Sequence, residues 1–125
     1  MPELPSKQIT GKHGEDLAAD TLLGLGYAIL ARRYRTRYGE IDIIARDRDV
    51  LVFVEVKART SDQFGTAAES VTAWKQRRII AMARDYLGRM SGPDVPCRFD
   101  VVAIDGLGTS EATVNVIKDA FVADA

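Results

Sequence analysis

Apolar residues recur along this chain with two different periods, and the switches between them mark out a helix, three strands, a second helix and two further strands. In residues 10–24, Leu17, Ala18 and Leu22 fall at helical spacing with Leu25 beyond them, which predicts a helix ending near Gly24 and Gly26. Glu15 lies on that stripe. Its i+3, i+4 and i+7 neighbours are Ala18, Ala19 and Leu22, so its carboxylate is expected on the core side, with Asp16 and Asp20 turned toward solvent. Residues 27–35 read as a strand, and residues 39–46 and 50–58 as the arms of an antiparallel hairpin closed by Arg46-Asp47-Arg48-Asp49. The third strand is rich in valine and apolar on both faces, which predicts the centre of a sheet. Residues 60–68 form a polar loop containing Phe64-Gly65, and about 69–89 a second helix whose buried face carries Val71, Ile79, Met82 and Tyr86. Ser91-Gly92-Pro93 breaks that helix. Residues 98–104 then read as an apolar strand interrupted by Asp100, and residues 113–117 as a last short strand running into VIKDAF.

The hairpin carries charges where strands rarely tolerate them. The segment GEIDIIARDRDVLVFVEVKAR, residues 39–59, places Asp42 in one apolar arm and Glu55 and Lys57 in the other. An ionised group in a strand interior is costly unless a partner or a metal ion satisfies it. Glu55 and Lys57 share a face with Leu51 and Phe53, while Val50, Val52, Val54 and Val56 line the other. A two-residue turn at Asp47-Arg48 would pair Arg46 with Asp49 and set Asp42 opposite Phe53, diagonal to Glu55, so that all three charges share one face. The cluster depends on that register, because a slip of one residue sends Asp42 to the opposite side. Lys75, on the apolar stripe of the second helix, has two readings: a lysine snorkelling at the edge of the stripe, or a second cation aimed at the acidic cluster or a phosphate.

At 125 residues and 46% hydrophobic, the chain is expected to form one domain over residues 1–125, with a core from about 11 to 121. No apolar run approaches a membrane span and the N-terminal MPELPSKQIT lacks the layout of a secretory signal, so a cytoplasmic protein with no membrane partner is expected. Cys97, the one cysteine, has no Cys or His at zinc-site spacing and reads as a core strand residue. Net charge is −1, yet its distribution is uneven: residues 1–98 hold 16 Lys and Arg against 13 Asp and Glu, and residues 99–125 hold 1 against 5. The cations gather at Arg32, Arg33, Arg35 and Arg37, at Lys57 and Arg59, and at Lys75, Arg77 and Arg78. Such clusters contact phosphates or simply solvate edges and helix faces, and taken alone the second reading prevails.

Two converging carboxylates with a nearby ammonium suit a hard divalent cation and a phosphoester. Mg²⁺ and Mn²⁺ take oxygen ligands, often one or two carboxylates completed by water and substrate phosphate. Asp42 and Glu55 could supply those carboxylates, Glu15 could complete the shell, and Lys57 could orient water or stabilise developing charge. Each residue has an ordinary explanation, such as a strand-edge ion pair or an Asp capping backbone N–H groups. The conjunction of Asp42, Glu55, Lys57 and Glu15, placed inward by independent periodicities, outweighs it.

These residues carry a resemblance. Asp42, then Glu55-Val56-Lys57 on the next strand, with Glu15 on the preceding helix, resembles the PD-(D/E)XK nuclease superfamily. More closely, the ordered segments GKHGEDLAADTLLGLGY, GEIDIIARD, VFVEVKART, FG, the Lys75 helix, RFDVVAI and VIKDAF resemble the bacterial YraN-like family from about Gly11 to Phe121. The resemblance implies an α/β, restriction-endonuclease-like fold, similar to archaeal Holliday-junction resolvases, with a mixed central β-sheet flanked by α-helices. It also implies that Asp42, Glu55 and the Val56 backbone carbonyl bind Mg²⁺ (or Mn²⁺), that Lys57 is the catalytic lysine and that Glu15 is the helix-borne acid. The proline of the superfamily's name is replaced by Ile41.

The expected function is therefore a metal-dependent endonuclease acting on structured or branched DNA, with Arg33, Arg35, Arg59, Lys75 and Arg78 as phosphate contacts. A resolvase addresses two symmetric strands, so a homodimer is expected. The alternative is a nucleic-acid-binding or assembly factor that keeps the fold without cutting. Hydrolysis of a small phosphorylated metabolite is disfavoured because no Gly-rich phosphate loop is present.

Overall fold

The computed structural model describes residues 6–59, 71–90 and 95–123. Its elements are α1 (Ser6–Gly24), β1 (Ala28–Thr36), β2 (Gly39–Asp47), β3 (Val50–Arg59), α2 (Ala73–Arg89), β4 (Cys97–Asp105) and β5 (Thr113–Phe121). The strands form one sheet in the order β1-β2-β3-β4-β5, antiparallel except for the β3/β4 pair, which is parallel. The fold is α/β with a mixed five-stranded sheet, consistent with the restriction-endonuclease-like arrangement expected. The parallel pair requires a crossover, and α2 lies within it.

The two faces of the sheet build two cores. Against α1, Ala18, Leu22 and Tyr27 pack on Ile43, Ala45, Val52, Val54, Val102 and Ile104. Against α2, Ile79, Met82 and Tyr86 pack on Ile41, Ile44, Leu51, Phe53 and Phe99. The valine-rich β3 is central and buried on both sides, as its composition predicts. α1 sits close on the sheet: a Cβ added at Gly14 would lie 3.2 Å from the Ala58 Cβ, so the helix meets the end of β3 at the residue before Glu15.

Three details depart from the sequence reading. The hairpin turn is Arg48-Asp49, not Asp47-Arg48: Asp47 pairs with Val50, and Arg48 takes the left-handed conformation (φ 58°) that a two-residue turn needs. Asp47 is drawn out of the turn because its carboxylate accepts from Arg98 at 2.9 Å. α2 starts at Ala73 because Thr72 is its N-cap, accepting the Lys75 N–H at 3.2 Å. Cys97 is exposed, at the entrance to β4, its thiol donating to the Val95 carbonyl at 3.2 Å. The loop at 60–68 and the breaker Ser91-Gly92-Pro93 lie outside the described residues.

Candidate functional site

β3 presents Glu55 and Lys57 on the α2 face, continuing the alternation of Leu51 and Phe53. The shifted turn changes what faces them. A two-residue change of register keeps every side chain on its face but moves it along; the ladder ends at the Ile43–Val54 pair, and just beyond it Asp42 and Glu55 line one groove. At this level the neighbouring strands are irregular. Ile41 belongs to the α2-side core and Ile43 to the α1-side core, which breaks the alternation around Asp42. On β1, Arg33 lies between the Arg32–Ile43 and Tyr34–Ile41 pairs with φ 52°, a strained value for a non-glycine residue. Asp42 thereby turns its carboxylate to the end of the ladder, where Oδ2 accepts the Val56 N–H at 2.8 Å.

The electrostatics of the group are unbalanced. Removal from water, reinforced by the negative charges of Glu55 and Glu15, pushes the Asp42 carboxyl up to about 7 against the opposing Val56 N–H and Lys75. Glu55 is 5% exposed, and its Oε1 lies 2.7 Å from the Lys75 Nζ. Burial works against the Lys75 charge, but Glu55 more than offsets it and holds the ammonium above its ordinary range. Lys57 moves the other way: burial, then the positive charge of Lys75, push it down. Glu15 is buried at the α1 end, its Oε2 accepting from Arg33 Nε at 2.7 Å, while its Oε1 is buried without a hydrogen-bond partner among the described residues. Asp42, Glu55, Lys75 and Arg78 line a groove of about 190 Å³ with Gly39, Glu40, Ile79 and Met82.

The expected basic residues divide. Lys75 and Arg78 line the groove. Arg33 is tied to Glu15, and Arg35 to Glu40 at 2.9 Å, both on the edge strand β1. Arg59 ends β3, where its carbonyl accepts from Gly106 and Leu107 at 2.8 and 3.2 Å. At Val56 the group in use is the N–H, on Asp42.

A second polar cluster emerges on the α1 side. Asp100, wholly buried, accepts from Tyr27 Oη at 2.9 Å, from Arg98 at 2.8 and 2.9 Å and from the Asp119 N–H at 3.0 Å. Arg98 also reaches Asp47 at 2.9 Å, and Lys118 approaches it at 3.5 Å. The Arg98 hydrogen bond holds the Asp47 carboxyl below its ordinary range. The visible sequence signal was Asp100 in an apolar strand, with Arg98 two residues before it on the same face.

The donor set of the groove is all hard oxygen, and one buried carboxylate oxygen beside it is orphaned, which fits Mg²⁺ or Mn²⁺ in chemistry. Among the described residues no three His, Cys, Asp or Glu side chains are grouped so as to hold a metal ion together, so Glu15 does not join Asp42 and Glu55 in one ligand set. The two carboxylates, Asp42 and Glu55, are the residues that could hold such an ion, with its remaining positions left to water and substrate. No helix among the described residues is long and apolar enough to cross a membrane.

A family model described as uncharacterised protein family UPF0102 matches residues 14–104. The chain is similar to a UPF0102 protein of Symbiobacterium thermophilum, 48% identical over 111 residues covering 89% of this chain and 94% of that protein. It is also similar to a UPF0102 protein of Ralstonia pickettii, 49% identical over 126 residues covering 97% and 96%. A third, from Nitrosomonas europaea, is 48% identical over 111 residues, covering 89% and 92%.

Proposed function

The chain belongs to the UPF0102 family, the YraN-like family its segments resemble, and from that premise and the geometry of the groove we propose a metal-dependent endonuclease of PD-(D/E)XK type that hydrolyses phosphodiesters in structured or branched DNA. The observation that carries this reading is that Asp42, Glu55 and Lys75 line one groove, with the Asp42 carboxyl pushed up to about 7. Acids crowded at such a cost, beside lysines displaced in opposite directions, mark a site organised for chemistry more than for stability.

Asp42 and Glu55 would hold the ion in this reading, with the Val56 carbonyl as a further oxygen. When bound, Mg²⁺ or Mn²⁺ supplies Lewis-acid polarisation of the phosphoryl oxygen and a lowered pKa for water. The Val56 N–H fixes the Asp42 carboxylate, and Arg33 fixes Glu15. Lys57, pushed down by burial and by Lys75, is suited to accept a proton from the attacking water or to orient it. Lys75 and Arg78, on the α2 side, meet the negative charge that develops on the phosphate. The water oxygen bonds to phosphorus, the bridging P–O bond breaks, and a proton passes to the departing oxygen.

The reading is tested by incubating labelled four-way junction, flap, single-stranded and linear duplex DNA with Mg²⁺ or Mn²⁺, alongside Glu55→Ala and Lys57→Ala. Metal-dependent product that both substitutions abolish supports it and ranks the substrates. One feature favours a second reading, a DNA-binding or assembly factor that does not cut: Lys75 already neutralises Glu55 at 2.7 Å. Salt-sensitive binding without product in any metal would select that reading.

A further inference from the structure

Outside the acidic groove, the described surface carries a second organised unit. Trp74 at the start of α2 is 59% exposed and Tyr38 in the β1–β2 turn 39% exposed. Exposed aromatic rings are ordinarily scattered, but each of these has a guanidinium over its face: Arg78 lies 4.8 Å from the Trp74 centroid and Arg37 lies 5.0 Å from that of Tyr38. The two pairs are fastened together, since Arg78 donates to the Tyr38 carbonyl from Nε at 3.0 Å and from a terminal nitrogen as well. Gly39 leaves room for this clasp. It has φ 130°, and a Cβ there would meet the Arg78 guanidinium at 2.7 Å.

The unit sits between two grooves. Arg78 and Gly39 line the acidic one, while Arg37 and Tyr38 open into a neighbouring groove of about 360 Å³ that also carries Arg84. Flat exposed rings bearing cations match the two halves of a nucleotide, the base by stacking and the phosphate by charge. They match an apolar protein surface poorly, because a cation covers each ring. They match duplex DNA only in part, because paired bases are stacked on each other and offer no free face to a ring.

We propose that the Trp74–Arg78–Tyr38–Arg37 strip is a stacking platform for unpaired nucleotides, so that the DNA entering the acidic groove carries a single-stranded segment beside the scissile phosphate. The cleavage half of this statement rests on the reading of the groove as a phosphodiester site; the platform itself does not.

Trp74 is the chain's one tryptophan, so its emission reports the platform directly. The full chain is titrated in EDTA with an oligodeoxythymidylate of about 12 nucleotides, and with a duplex of the same length. The expected result is saturable quenching by the single strand, at lower concentration than by the duplex. In parallel, polarisation of the labelled single strand should show binding weakened on the order of tenfold by Trp74→Ala and largely recovered by Trp74→Phe. Absence of quenching by the single strand, preference for the duplex, or equal binding by wild type and Trp74→Ala overturns the proposal. Because EDTA removes any cleavage, quenching in a protein that cuts nothing would sink the nuclease reading and leave the platform. Cutting that is indifferent to Trp74 would do the reverse.

Discussion

The protein contains two clusters of buried charge, and they are built on opposite principles. Around Asp100 every demand is met: its two oxygens receive Tyr27, Arg98 and a backbone N–H, and Arg98 in turn holds Asp47. Around Asp42 the demands conflict. Acids from three elements crowd one end of the sheet, one Glu15 oxygen has no partner among the described residues, and the Asp42 carboxyl is displaced to about 7. The first cluster ties β4 to the start of β1, the hairpin turn and β5. The second opens onto a groove. A satisfied polar network buried in a fold reads as structure, and a frustrated one beside a cavity reads as a place awaiting a ligand.

The largest effect that separates them is on stability. Asp100→Ala removes the acceptor of the Tyr27 hydroxyl, leaves Arg98 with Asp47 as its carboxylate partner and frees the Asp119 N–H, and is expected to cost about 3–5 kcal/mol, read as a drop in the urea midpoint. A loss under about 1 kcal/mol would mean that the network is not what holds these strands together.

Asp42→Asn is expected to act in the opposite direction. An unfolded aspartate ionises near 3.9 and the native Asp42 near 7, so between those values the native state keeps a proton that the unfolded chain has released. Without divalent ions, stability therefore falls as pH rises from about 4 to about 7 and levels off above. Asp42→Asn should flatten that limb and stabilise the chain by up to about 4 kcal/mol at neutral pH. Asp47 has the reverse sign: its lowered carboxyl contributes stability above its unfolded pKa, which is lost as pH falls below about 4, and Asp42→Asn should leave that acid limb in place. Denaturant midpoints across the pH range check both limbs, and a neutral limb as steep in Asp42→Asn as in wild type would refute the assignment.

The smallest effect sets the baseline. Arg89 pairs with Asp85 one turn away on α2, at 3.0 Å with the Arg89 side chain mostly in water. Arg89→Ala is expected to move stability by no more than about 0.5 kcal/mol in a thermal melt. A larger loss would show that solvated pairs carry weight here and would blur the contrast between the two clusters.

How much of this was legible in the sequence follows from the distances involved. Periodicity is local, so it located the strands, put Glu15 on the core side of α1 and set Glu55 beside Lys57 on one face of β3. It also brought Asp42 toward Glu55 although the turn was off, because the observed register differs by two residues and parity holds as far as the Ile43–Val54 pair. What it could not supply were partners distant in the chain. Arg98 meets Asp47 across 51 positions and Tyr27 across 71, and only the folded sheet brings them together. Cys97 failed for a related reason: its strand is buried from Phe99 to Ile104, but the strand's first residue is exposed. The left-handed Arg33 and the broken alternation at Asp42 have no local signature either, and they are what aim the acids at one another.

The central claim is that the conflict at Asp42 is resolved by a divalent cation. Calorimetric titration of Mn²⁺ into wild-type and Asp42→Asn protein at about pH 8, above the native Asp42 value, tests it without reference to any substrate. The account predicts one saturable site in wild type, weakened at least about tenfold in Asp42→Asn, since even the loss of a group behind a metal ligand costs that much. Equal Mn²⁺ affinity in the two proteins, or no binding to wild type, would contradict it.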